Sequence, residues 1–146
     1  MAASEIRTMM EQWADVWNAK DADRLMAFYA DDVVLYQAPL KKTLVGKEYL
    51  AARFRDIIEM SSDIRLTIRE LHVDGDTAVM EFNTIGTHTG RFLDYEPTGR
   101  TFDYDSCLIF KVKDGKITKH TTYLDTATIL RALGLISIPG VRPEAA

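Results

Sequence analysis

The chain of 146 residues has one cysteine, Cys107. A lone thiol closes no internal disulfide, so nothing in the sequence asks for an oxidising compartment. No apolar run approaches the ~20 residues of a membrane-spanning helix. Residues 1–20 interleave Glu5, Arg7, Glu11, Asp15 and Lys20 with their apolar positions, unlike a secretory leader. Basic residues form no stripe: 18 Lys and Arg are scattered among 22 Asp and Glu, for a net charge of −4, which makes nucleic acid a poor partner. The three histidines are isolated and show no metal-ligand spacing. There is no glycine-rich phosphate loop and no nucleophile elbow. Repeats, linkers and low-complexity segments are also missing. The expectation is a soluble, cytoplasmic protein that forms one domain over residues 1–146, with no metal, no cofactor and no membrane partner.

What is present is a change of hydrophobic period along the chain. Ile6, Met9, Met10, Trp13 and Trp17 recur at helical spacing, so residues 4–19 read as an amphipathic helix. Asp21 can cap a second helix with Leu25, Met26 and Tyr29 on its apolar side, closed by "ADD" at 30–32. "VVLYQ" (33–37) is a short strand ended by Pro39. A third helix follows Gly46, with Leu50, Phe54, Ile57 and Ile58 on one stripe.

The period then becomes two. Residues 63–73 alternate, but their apolar parity switches between Ile68 and Leu71, which predicts a bulge near Glu70. Strands follow at 77–89, 101–113 and 116–124, with turn signals at 74–76 and at Asp114-Gly115. A last helix over 126–133 points Ile129, Leu130 and Leu133 inward, with Gly134 as its C-terminal cap. Helices segregated from a run of antiparallel strands make an α+β fold, and a bulged, strongly twisted sheet can wrap the helices into a cone.

Strand parity sorts side chains onto two faces. Ala78, Met80, Phe82 and Thr84 share the inner face of one strand; Phe102, Tyr104, Ser106, Leu108, Phe110 and Val112 share that of the next. In the last strand periodicity leaves two sets open, one with His120 and Thr122 and the other with Thr121, Tyr123 and Asp125.

"YADD", "LVGKE", "GTHTG", "PTGR", "DGKI" and "YLD…LRALG" occur in an order and spacing that resemble the SnoaL-like polyketide cyclases of the ketosteroid-isomerase-like superfamily. The likeness runs from about Trp13 to Gly134. "LYQAPL" with "PTGR" and "GKIT" is also similar to the limonene-epoxide-hydrolase branch. The resemblance implies a conical, strongly curved antiparallel sheet around N-terminal helices, a deep apolar pocket, homodimers through the outer sheet face, and the His120 and Thr122 parity facing the pocket. It also implies acids and bases that this chain lacks. The cyclases' strand-internal Asp falls on Thr122 and their His on Leu108. The epoxide hydrolases' Arg-x-Asp pair falls on Phe82 and Thr84. The isomerases' base falls on Ala38, and their tyrosine on the first helix is replaced by Trp13.

The resulting expectation is a cofactor-free acid–base enzyme of cyclase, isomerase or dehydratase type, acting on a hydrophobic polyketide- or terpenoid-like molecule. His120 is the candidate base or proton shuttle, since histidine titrates near neutrality without help; its other reading is a core histidine bonded to a backbone carbonyl. Tyr36, at the position of the epoxide hydrolases' water-positioning tyrosine, and Tyr104 are candidate donors to a substrate oxygen. Thr122 and Ser106 would hold a water. Trp13, Trp17, Met80, Phe82, Thr84, His88, Ser106, Leu108 and Phe110 are the expected pocket lining, and His88 between its glycines also suits a turn-stabilising role. Asp125, just ahead of an apolar helical run, reads as a helix cap more than an acid. The alternatives are an epoxide-hydrolase-like enzyme, a binding module that has lost the family's acids, and a dimeric interaction protein with a filled pocket.

Overall fold

A computed structural model describes residues 1–140. The tryptophan stripe builds α1 (Ala3–Asn18), which buries Ile6, Met10, Trp13 and Trp17. Two polar ties fix the helix across the sheet. The Asn18 amide donates to the Leu66 carbonyl at 2.7 Å and accepts from the Leu66 N–H at 2.8 Å, and Arg7 donates to the Leu71 carbonyl. Asp21 caps α2 (Ala22–Met26) by accepting from the Arg24 N–H at 3.1 Å.

Tyr29 does not extend that helix. It opens β1 (Tyr29–Gln37), because α2 ends after Met26 and the chain at Phe28 is already paired: the Ile117 N–H donates to the Phe28 carbonyl. A single 3-10 turn over Ala38–Leu40, with Pro39 inside it, leads to a short edge strand, β2 (Lys42–Val45), which the sequence pattern did not suggest. Then come α3 (Lys47–Met60), β3 (Arg65–Asp74), β4 (Thr77–Thr87), β5 (Thr101–Lys113), β6 (Lys116–Tyr123) and α4 (Thr126–Ala132).

The six strands form one curved, unclosed sheet in the order β2-β1-β6-β5-β4-β3. The fold is α+β as expected, with one addition: β1 runs parallel to β6, so the sheet is mixed, and every other neighbour is antiparallel. The register shift between Ile68 and Glu70 is the bulge that the parity switch requires, and it keeps Leu66, Ile68 and Leu71 on the inner face. Helix α1 lies against β3 and β4.

Between them sits the core, with Met10, Ala78, Met80, Phe110 and Ile117 fully buried. Burying each large apolar side chain contributes roughly 1.5–3 kcal/mol. One close approach requires glycine. The Thr89 and Gly90 N–H groups both donate to the Met60 carbonyl, and a β-carbon on Gly90 would lie 1.8 Å from the Glu59 carbonyl oxygen. Among the described residues, no helix is long and apolar enough to cross a membrane.

Candidate functional site

Three elements converge at one end of the core. The Trp13 indole from α1 donates to the Tyr29 hydroxyl of β1 at 2.9 Å, and that hydroxyl lies 3.0 Å from Nδ1 of His120 on β6. All three side chains are buried; His120 keeps 4% of its surface. The Tyr29 ring stacks on His120 at 5.8 Å, and Phe110 meets the imidazole edge-on at 4.9 Å. Leu35 is the β1 partner of His120 and is fully buried beside it. Of the side chains facing His120 from α1, β1 and β5, only Tyr29 titrates. Charging the imidazole in this apolar setting is costly, and burial lowers its pKa from 6.5 to about 4. Burial likewise raises the Tyr29 pKa far above the ordinary phenol range, against a smaller opposing effect from the Trp13 hydrogen bond.

His120 and Thr122 share the inward parity that the family resemblance selected. Thr122 pairs with Leu108 and is half-buried, and its hydroxyl accepts from the Gln37 amide at 3.4 Å. Tyr104 faces inward opposite Thr84. Burial raises the pKa of its hydroxyl to about 12, tempered by the nearby Thr84 hydroxyl, although Thr84 Oγ1 makes no hydrogen bond of good geometry. Ser106 is buried and accepts from the Asp125 N–H at 3.2 Å, so it anchors the start of α4. Asp125 is a cap: its carboxylate accepts from the Thr128 N–H at 3.1 Å and from the Thr128 hydroxyl at 2.6 Å.

Tyr36 is not part of this constellation. It pairs with Thr121 while Leu35 pairs with His120, and alternation along β1 therefore puts Tyr36 on the outer face of the sheet. The shared outer-face row continues through Ile109 and Val79. The acids of β5 are outside as well: Asp103 and Asp105 both accept from the Asn83 amide, and Asp105 pairs with Arg69 at 3.1 Å. No carboxylate lies on the inward face of β4, β5 or β6.

His88 is fully buried and staples the loop that follows β4. Its Nδ1 accepts from the Thr98 N–H at 3.1 Å, with the Thr98 hydroxyl 3.0 Å away. Its Nε2 has no partner among the described residues. Trp13, Trp17, Met80, Phe82, Leu108 and Phe110, expected as pocket walls, are packed as core.

Hollows among the described residues lie elsewhere. A groove of about 560 Å³ runs between α1 (Glu5, Thr8, Gln12) and Phe28 with Gly115. A smaller one of about 210 Å³ lies between α3 (Arg53, Ile57) and Phe92. None of the expected site residues borders either. Among the described residues, no group of three or more His, Cys, Asp and Glu is placed to hold a metal.

Sequence reasoning missed Tyr29 and Gln37. Tyr29 stands four residues after Leu25 and mimics a helix-face position, so its role was concealed by periodicity. Gln37 carried no signal beyond its place next to Tyr36 on "VVLYQ".

Residues 7–133 match the family model for SnoaL-like polyketide cyclase. No curated protein matches the sequence. Among solved structures, AclR from Streptomyces galilaeus, for which a hydroxylase activity has been suggested, superposes with a TM-score of 0.86 at 18% identity, covering 95% of this chain and 87% of that one. TsrD from Streptomyces laurentii gives 0.82 at 25% identity, covering 93% and 99%. IdmH from Streptomyces antibioticus, for which a polyketide cyclase activity has been suggested, gives 0.78 at 23% identity, covering 88% and 97%.

Proposed function

The chain belongs to the SnoaL-like polyketide cyclase family, and on that premise we propose that it is a cofactor-free cyclase- or isomerase-type enzyme acting on a hydrophobic polyketide-like molecule. One observation carries the reading. Neutral polar groups, namely the Tyr29–His120 pair with Thr122 and Tyr104, stand on the inner face of the sheet among aromatic and aliphatic side chains, while the acids of β5 stand outside. Hydrogen-bond donors in a dry apolar setting stabilise charge that develops on a substrate oxygen far better than they would in water. Such a site suits reactions that pass through an enol or enolate, including ring closure, isomerisation and dehydration.

A second reading has its own support. The interior side chains belong to one buried core cluster, and the grooves beside α1 and α3 lie elsewhere. A binding or assembly module with the inherited fold would look the same. The two are separated by incubating the protein, without added cofactor, with a panel of polyketide β-keto esters and terpenoid ketones and analysing each by chromatography and mass spectrometry. Conversion of one compound supports the enzyme; capture without chemical change supports the binder.

The same reading includes a homodimer through the outer sheet face, where Tyr36, Thr121, Ile109 and Val79 form one cross-strand row and Tyr123 is 50% exposed. Sedimentation analysis giving a monomer at micromolar concentration would remove that part.

A further inference from the structure

We propose that Tyr29 is a positioning residue that holds His120 as a neutral imidazole protonated on Nε2, so that His120 serves the site as a hydrogen-bond donor and not as its base. This rests on the enzyme reading only for its consequence; the tautomer itself follows from donor and acceptor chemistry. An indole nitrogen can only donate. The Trp13 N–H therefore gives its proton to the Tyr29 oxygen, which lies 2.9 Å away. The Tyr29 hydroxyl has one proton of its own, and its other hydrogen-bond partner is His120 Nδ1 at 3.0 Å.

If Nδ1 carried the ring proton, the Tyr29 oxygen would receive two N–H donors, and its own proton would be left without an acceptor in a position that is 2% exposed. Orphaning a buried donor disfavours that arrangement roughly tenfold or more. In the satisfied chain, Trp13 N–H donates to Tyr29, Tyr29 O–H donates to Nδ1, and the ring proton sits on Nε2. Burial beside Trp13, Phe110 and Leu35 opposes a second proton.

Nε2 makes no hydrogen bond among the described residues, yet it is not among the fully sealed orphan atoms, as His88 Nε2 is. It is the free end of the relay. The role this leaves is to hold a carbonyl oxygen as it becomes an enolate. The C–H bond breaks, its proton goes to water, the electron pair moves through the carbonyl carbon onto oxygen, and Nε2–H donates to that oxygen. With no inward carboxylate on β4–β6 to take the proton, the substrate class that fits is one whose C–H is already acidic, a carbon between two carbonyls.

The test is long-range proton–nitrogen NMR on the full chain labelled with nitrogen-15 in histidine. For His120 the expected spectrum has a pyrrole-type Nε2 and a pyridine-type Nδ1, unchanged between pH 5.5 and 8. In Tyr29→Phe the Nδ1 signal shifts as it loses its donor, and the two nitrogens move towards a tautomeric average. Trp13→Phe, which keeps the Tyr29 hydroxyl, retains the wild-type pattern. A wild-type His120 protonated on Nδ1, or doubly protonated near neutrality, overturns the proposal even if neither variant folds. The expected spectrum in a protein that converts nothing would instead leave the tautomer standing and remove the enzyme reading.

Discussion

His120 and His88 are both buried, both make a hydrogen bond at Nδ1, and they differ in what their partner is. His120 is served by Tyr29, 91 residues away, which is itself served by Trp13 on a third element. His88 is served by Thr98, ten residues along the same loop. A histidine satisfied by its own loop is accounted for by architecture, since it closes the 88–100 excursion without reference to the rest of the molecule. A histidine satisfied by a relay across α1, β1 and β6 ties helix, strand and imidazole into one unit. Its free nitrogen is then set by the whole fold. The difference separates a histidine held by three elements from one held by its own loop.

The largest effect expected from that division is on stability. Trp13→Ala removes a ring that is 2% exposed and the donor to Tyr29 together, and should cost about 3–5 kcal/mol in urea unfolding.

Next is a pH effect belonging to His120. Its folded-state pKa of about 4 lies below the ordinary 6.5, so below pH 6.5 the unfolded chain binds the proton more readily than the native one. Stability is fully present above pH 6.5 and is lost as pH falls through 4, by about 3 kcal/mol in all. Urea titrations of wild type and His120→Gln at pH 7 and pH 4.5 should show a steeper loss in wild type. Parallel loss in the two would place the acid sensitivity elsewhere; it would not be Asp63, whose lowered pKa makes its contribution fade only below the ordinary 3.8, outside this interval.

Smallest is the loop. Thr98→Ala leaves the backbone donor on His88 and removes only the hydroxyl, which also accepts from the Arg100 N–H. It should cost about 1 kcal/mol, speed amide exchange at residues 88–100, and leave the His120 nitrogen signals unmoved.

Much of this was legible in the residues. The parity switch at Ile68–Leu71 located the bulge, Asp125 was readable as a cap, and alternation placed Met80, Phe82, Leu108 and Phe110 inside, because each depends only on local period or capping chemistry. Three features were not. The parallel seam between β1 and β6 joins segments about ninety residues apart and has no periodic signature. Strand β2 is four residues on an edge, with Leu44 as its one half-buried residue, too short for alternation to register. The placement of Tyr36 and Tyr29 was the third. A resemblance put the first among the pocket donors and helical spacing put the second on α2, whereas the strand register turns Tyr36 outward and Tyr29 opens β1.

Once a converted substrate is in hand, the decisive measurement is kcat for wild type, His120→Gln and Tyr36→Phe under one set of conditions, each checked for folding. If the reaction is run by the inward face, His120→Gln lowers kcat about 100-fold or more and Tyr36→Phe leaves it within twofold or so of wild type. Loss of turnover in Tyr36→Phe with His120→Gln unaffected would place the chemistry on the outer face of the sheet and contradict the assignment.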